Sequence, residues 1–397
     1  MPANFRNAAV TGAAISQVGR RLGRSGLDLT IEATLRALDQ SGLSRADIDG
    51  VTTWPAVQPS RLAVSPVSVI EMKEALGLKL NWFLSGAEAA GQLSPVIMAA
   101  MAVITGQARH VLVYRTLTEA TAAQQSQHRP GFSDVNAGRV GGWQQWLAPF
   151  GALSAANWIA QMAQRRCHEF GLTREQLAQI ALNARRNAAL NPDALFRTPL
   201  TIEDYLSSRM ISTPLCLYDC DTATDGSVAV IVSRAEYARD LANPPLIIEA
   251  ASGAHHGRDS WDQVEDLTMM AAADAAADMW RQTDLKPADV DIAQLYDGFS
   301  VLTLMWLEAM GFCGRGESGA FVENGVNIGL DGSLPLNTGG GQLSGGRLHG
   351  LGFLYEAATQ LWGRGGERQV SNDPRIAAVG TGGGPMASCL LLVREDG

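Results

Sequence analysis

With 397 residues, 46% of them apolar and 18% charged, the chain holds too much hydrophobic matter to stay disordered and enough for more than one ordinary core. A net charge of −9 and a pI near 5.2 provide no basic face for a phosphate backbone, so nucleic-acid binding is excluded as the main role. No apolar run reaches membrane-spanning length, and the N-terminal stretch with Asn4, Arg6, Asn7 and Gln17 lacks a signal-like apolar core; a soluble, cytoplasmic protein is expected.

In chain order, residues 8–14 (AVTGAAI) predict a strand and turn, and 27–41 carries Leu29, Ile31, Ala33, Leu35 and Leu38 at helical spacing. The segment 44–54, SRADIDGVTTW, reads as a short turn and then a strand. A helix over 92–106 runs into the strand 110–114, HVLVY, and an apolar β-rich segment, 227–233, closes the first half. The order then recurs: strand 245–254, helix 267–280, KPADVDIAQLYD at 286–297, a helix after Gly350, and strands 376–380 and 388–393. Ala46-Asp47-Ile48-Asp49 matches Ala288-Asp289-Val290-Asp291 at a period near 242 residues, which marks a duplicated domain rather than a solenoid. We therefore expect halves at 1–240 and 245–397, both α/β, with sheets covered on both faces. Between about 115 and 215 lies a polar insertion with helical pieces at 155–170 and 174–190 and no counterpart in the second half, suited to covering a substrate or meeting a partner.

The stretch 337–350, NTGGGQLSGGRLHG, is glycine-rich and precedes a helix, so its backbone must approach something closely. It carries two chemically able side chains, Arg347 and His349. Five scattered cysteines, Cys167, Cys216, Cys220, Cys313 and Cys389, argue against a disulfide framework, and no histidine cluster or second pair completes a zinc site beside Cys216 and Cys220. The run from Gly380 reads G-x-G but leads into a strand, the wrong context for a nicotinamide or flavin dinucleotide. His255 and His256 read as pocket lining or surface.

The segments ITGQARHVLVY, LYDCDTATDGSVAVIVS, LYDGFS, NTGGGQLSGG and GTGGG, within two similar halves, resemble the thiolase superfamily over nearly the whole chain. SWDQVEDLT at 260–268 and the stretch 295–322 resemble its sterol-carrier-protein-type, lipid-transfer-protein branch. The resemblance implies the layered αβαβα thiolase fold, an acyl-CoA substrate with coenzyme A as part of it, no tightly bound cofactor and no metal. It also implies a homodimer, whose interface we place at the strand 110–114, and a possible small OB-fold partner protein.

The four thiolase catalytic positions have changed. The nucleophile position falls at about Ala89, the GHP position reads Gly346-Arg347-Leu348, the second cysteine position reads Gly380, and the NEAF segment reads Tyr296-Asp297-Gly298-Phe299. Without a thiolate there is no acyl-enzyme. Branch members lacking the cysteines act as aldolases in steroid side-chain degradation, and retro-aldol cleavage needs only a base for the β-hydroxyl and donors for the thioester enolate. Tyr296 is the candidate for proton transfer, its phenol acidified by Arg347; His349 is an alternative proton carrier. Arg347, where related aldolases carry Tyr or His, is expected to pair with a CoA phosphate or Asp297, or to hold the enolate. Ala89, Asp297, Gly380, Thr381 and Gly382 are the implied oxyanion and substrate-binding positions. A non-catalytic acyl-CoA- or lipid-binding subunit supporting a partner, and an acyltransferase, remain the alternative functions.

Overall fold

The computed structural model describes residues 4–57, 59–86, 89–125, 142–255 and 257–395. Eleven strands form in chain order: β1 (Ala8–Ile15), β2 (Gly50–Thr53), β3 (Trp82–Ser85), β4 (His110–Thr118), β5 (Met210–Ser212), β6 (Leu215–Cys216), β7 (Asp225–Arg234), β8 (Leu246–His255), β9 (Ile292–Leu295), β10 (Ile376–Gly383) and β11 (Met386–Arg394). Nine of them make one sheet in the order β3-β2-β4-β7-β1-β8-β11-β10-β9, and β5 pairs with β6 alone. The halves meet where β1 pairs antiparallel with β8, Ala9 opposite Ile247 and Val10 opposite Leu246. Outward from that seam each half repeats one pattern. Antiparallel β7 and β4 lead to parallel β2 in the first, and antiparallel β11 and β10 to parallel β9 in the second.

Alternation along the strands sets the layers. Val228, Val230 and Val232 of β7 face helices Ser94–Ile104 and Gly350–Leu361, whereas Ala229 and Ile231 face helices Gly26–Ser41 and Val69–Leu76. On the other side Ala377 and Val379 of β10 join the first pair of helices, and Ala378 joins Ala272–Trp280 and Ser300–Ala309. The two wings of the one sheet thus enclose the helices Ser94–Ile104 and Gly350–Leu361 and are covered by helices outside, in the order helix, sheet wing, helix, sheet wing, helix, which explains why strands buried on both faces read as continuous apolar runs. The helix expected over 267–280 begins only at Ala272, because the Ala271 N–H is drawn to the Gly384 carbonyl (2.9 Å).

β4 is hydrogen-bonded on both edges, by β2 and β7, so a dimer contact there would not extend the sheet; the edges of the sheet are β9 and β3, where Phe83 is 55% exposed. The insertion does more than cover a pocket. Its helix Arg174–Ala189 braces the glycine-rich loop: Asn183 and Asn187 donate to the Leu336 carbonyl at 2.9 and 3.1 Å, Asn187 also to Asn337 at 3.1 Å, and Asn191 to Gly339 at 2.9 Å.

Candidate active site

The loop that enters the site starts where a further strand would lie. Leu336 bridges Ala293 in parallel, and the Asn337 side chain both accepts from Leu295 N–H and donates to Leu295 C=O at 2.8 Å, imitating a backbone at the free edge of β9. The chain then makes one wide helical turn, Gly341–Gly345. Gly341 is required there: its φ is +56°, and a Cβ would sit 1.9 Å from Asp297 Oδ2. Asp297, fully buried, accepts from Gln342 N–H at 2.7 Å and so fastens the turn. Burial pushes its carboxyl up to about 7 against the pull of those N–H groups. Asp297 therefore holds the loop; it does not reach Arg347, contrary to expectation.

Arg347 is instead gripped by two carboxylates from the first half, Nη1 donating to Asp221 Oδ1 (3.1 Å) and Nη2 to Glu119 Oε2 (2.6 Å). Burial works against its charge, but Asp221 and Glu119 more than offset that and hold its pKa above the usual value. Both terminal nitrogens of the guanidinium are thus engaged within the chain. Asp221 is pushed up to about 6, by burial first, with Arg347 opposing and Glu119 reinforcing. It is thus a carboxylate poised near neutrality, and the sequence reading missed it.

Tyr296 follows β9, its N–H donating to the Gly380 carbonyl (2.9 Å) and its ring lying 6.2 Å from that of Phe353. Its hydroxyl packs against Gly298, where a Cβ would approach to 2.6 Å, and Gly298 accepts the backbone N–H of Asp221 at 3.1 Å. The amides of Gln92 and Gln342 lie near enough to the hydroxyl to favour its ionised form, without a hydrogen bond to it. The phenol is nonetheless pushed up to about 12, because burial and the Asp221 charge outweigh Arg347 and the two amides. Arg347 acts in the expected direction, lowering the phenol's pKa, but burial foremost and then the Asp221 charge prevail over it. Tyr296 is a neutral phenol at physiological pH.

His349 sits at a backbone φ of +56°, before the helix Gly350–Leu361, and its Nδ1 lies 2.8 Å from Arg115 Nη2. Burial, then Arg115 and Arg347, hold its pKa well below the ordinary imidazole value. Arg115 also donates to the Trp54 carbonyl at 3.0 Å, and burial pushes its pKa down to about 10. Among the described residues, five buried polar side-chain atoms of this neighbourhood have no hydrogen-bond partner: Trp54 Nε1, Arg115 Nε, Arg347 Nε and Gln342 Nε2, all donors, and Gln92 Oε1. A surplus of donors suits a bound oxyanion.

The other expected positions lie as follows. Gly380 pairs with Cys389 and is covered by Trp306, whose ring a Cβ would meet at 2.7 Å. Thr381 is fully buried against Ser388, their hydroxyls 3.2 Å apart, and Gly382, at φ +83°, accepts the Trp306 indole N–H at 2.9 Å. Ala89 is half-buried in the turn before the helix Ser94–Ile104; its carbonyl accepts from Gly91, and the next polar side chain, Gln92, is the one that enters the site. His255 is exposed at the end of β8, and His256 lies outside the described residues. Burial raises the thiol pKa at all five cysteines, Cys313 to about 12, so none is a ready thiolate. Among the described residues no group of three or more His, Cys, Asp or Glu could hold a metal, and no helix is long and apolar enough to cross a membrane.

Residues 253–395 match the thiolase C-terminal domain-like family. A steroid side-chain-cleaving aldolase of Thermomonospora curvata is 35% identical over 97% of this chain and 97% of its own. The chain belongs to the thiolase superfamily, in its sterol-carrier-protein-type branch. A second superfamily relative, 17-hydroxy-3-oxo-4-pregnene-20-carboxyl-CoA lyase of Mycobacterium tuberculosis, is 35% identical over 94% of this chain and 96% of its own. Among solved structures, the Ltp2-ChsH2(DUF35) aldolase superposes with a TM-score of 0.86 at 34% identity, covering 100% of this chain and 99% of that one. Human mitochondrial 3-ketoacyl-CoA thiolase superposes at 0.70 and 13% identity over 99% and 100% of the two chains, which shows the shared fold alone.

Proposed function

We propose that the protein cleaves a β-hydroxyacyl-CoA of the steroid side-chain type by retro-aldol chemistry, releasing a ketone and a shorter acyl-CoA. The observation that carries this reading is a buried proton-transfer cluster, Tyr296 beside Asp221, Arg347 and Glu119, in a site with no thiolate. Tyr296 takes the β-hydroxyl proton while passing its own to Asp221, so the neutral phenol relays rather than ionises. The Cα–Cβ bond breaks, its electron pair moving into the thioester enolate, and the proton held by Asp221 returns by the same route to the enolate carbon. A degenerate binding subunit would have no use for two buried guanidiniums and a poised carboxylate, each of which opposes folding unless employed.

In this reading coenzyme A enters with the substrate and no resident cofactor takes part. The enzyme works in the cytoplasm as a homodimer joined through the free edge of β3, on which Phe83 is exposed. It is helped by a small partner protein, as the ChsH2(DUF35) component accompanies Ltp2 in the related aldolase. The test supplies a β-hydroxyacyl-CoA bearing a tertiary alcohol, with and without an OB-fold partner, and follows ketone and acyl-CoA. Release of both in equal amounts supports the reading; CoA-dependent cleavage of a β-ketoacyl-CoA instead would sink it.

A further inference from the structure

Arg115 is 4% exposed, and among the described residues it has no carboxylate within ion-pair distance. Its unusual partner is an imidazole nitrogen. A guanidinium offers only donors, so His349 Nδ1, 2.8 Å from Arg115 Nη2, must supply a lone pair. A neutral imidazole has a single lone pair of that kind and a single proton, so the proton resides on Nε2. His349 so held is a hydrogen-bond donor and cannot be the base that its sequence position suggested. Gln342 is 3% exposed, and its orientation is fixed in the same way: Oε1 accepts from the His349 backbone N–H at 3.2 Å, which leaves the Nε2 amide hydrogens unpartnered. Both side chains line one cavity, with Gly341 and Phe353.

We propose that Arg115 is a positioning residue that locks His349 as its Nε2–H tautomer, and that this N–H and the Gln342 amide together donate to the oxygen of the thioester enolate. This rests on the retro-aldol reading above. A carboxylate against Nδ1 would favour an imidazolium and a proton shuttle; a guanidinium in that place keeps the ring a neutral donor throughout turnover. Two neutral donors hold an enolate without protonating its oxygen, which leaves the carbon free to take the proton from Tyr296.

The first test reads the tautomer in the wild-type protein, so it needs no variant to fold. In the ¹⁵N spectrum of histidine-labelled enzyme, with His349 assigned through His349→Gln, the expected pattern is a protonated Nε2 and a bare, hydrogen-bonded Nδ1 from about pH 5 to 8. A protonated Nδ1 overturns the proposal. The second test follows exchange of the α-protons of a product acyl-CoA in D₂O, which reports enolate formation without carbon–carbon cleavage. Arg115→Met and Gln342→Leu should each slow exchange and kcat by roughly 10²-fold with little change in KM, and Arg115→Lys, which can still donate to Nδ1, should recover about tenfold over Arg115→Met. Unchanged exchange in Gln342→Leu, or an unchanged tautomer in Arg115→Met, overturns it. A wild type that shows the Nε2–H tautomer yet neither exchanges nor cleaves would bring down the retro-aldol reading, and the enolate donors with it.

Discussion

The two halves of the sheet share a strand order but not a chemistry. Register makes the equivalence concrete: Thr53 of β2 lies beside Tyr114 of β4, as Leu295 of β9 lies beside Gly380 of β10. One residue further on, Trp54 therefore corresponds to Tyr296 and Arg115 to Thr381. In the first half the equivalent of the catalytic candidate offers a carbonyl to Arg115 and an unpartnered indole N–H, while in the second it offers a phenol. From the second half of β4 onward the contrast reverses, with Arg115 and Glu119 charged and the β10 end reduced to glycine and threonine. The shared strand order fixes where strand ends converge. What each end presents is free to differ, so a site can draw the carboxylates Asp221 and Glu119 from one half and the proton carrier Tyr296, with the cation Arg347 that they grip, from the other.

Exchanging the equivalent aromatic residues should give the largest asymmetry. Tyr296→Phe removes one hydroxyl and should lower turnover roughly 10²–10⁴-fold while thermal unfolding stays near wild type. Trp54→Phe keeps the carbonyl that Arg115 uses and should change turnover by less than about tenfold. Equal losses in the two variants would mean that the halves contribute alike, against the comparison.

A smaller effect concerns the carboxylate that crosses between halves. Asp221 must be ionised to accept the proton, and its carboxyl titrates at about 6 in the free protein. Because its pKa is raised, the active form is present above pH 6 and lost as pH falls through it, so kcat/KM should drop about tenfold per pH unit on the acid side. Asp221→Asn should lower kcat/KM at neutral pH by roughly 10²-fold and abolish that acid limb. An acid limb that survives the substitution would assign it to another group. The smallest expected effect is at the thiols: replacing all five cysteines by alanine or serine should leave kcat within about threefold, measured on the same substrate.

The layered fold was legible because strands such as 228–232 are apolar at every position, and a strand buried on both faces leaves no other reading. Helix 155–170 was legible down to its ends, since Ser154 and Gly171 are a capping pair. The site was legible only where the motif itself carries chemistry, as at Tyr296, Arg347 and His349. Its electrostatics were not, because Arg347 finds Asp221 and Glu119 across 126 and 228 residues of chain. Gln92 and Gln342 gave no signal at all, being ordinary amides in glycine-rich turns. One clue was present but unread: Arg115 follows directly on the buried run HVLVY and continues a strand with no solvent-facing side. A cation there must be in use.

The asparagines of the Arg174–Ala189 helix carry a last consequence. Asn183 and Asn187 stand one turn apart, about 6 Å along the axis, so the helix acts as a ruler that spaces the carbonyls from Leu336 onward. The ordering entropy of the glycine-rich loop is thereby met once, during folding, and not at every encounter with substrate. The same coupling makes the loop only as durable as the helix. A fluctuation that frays those turns would release the carbonyls and disperse Gln342 and His349 while the nine-stranded sheet stays whole. Local opening of this helix, read by hydrogen exchange of its amides, would then set the temperature at which catalysis fails, well before the fold does.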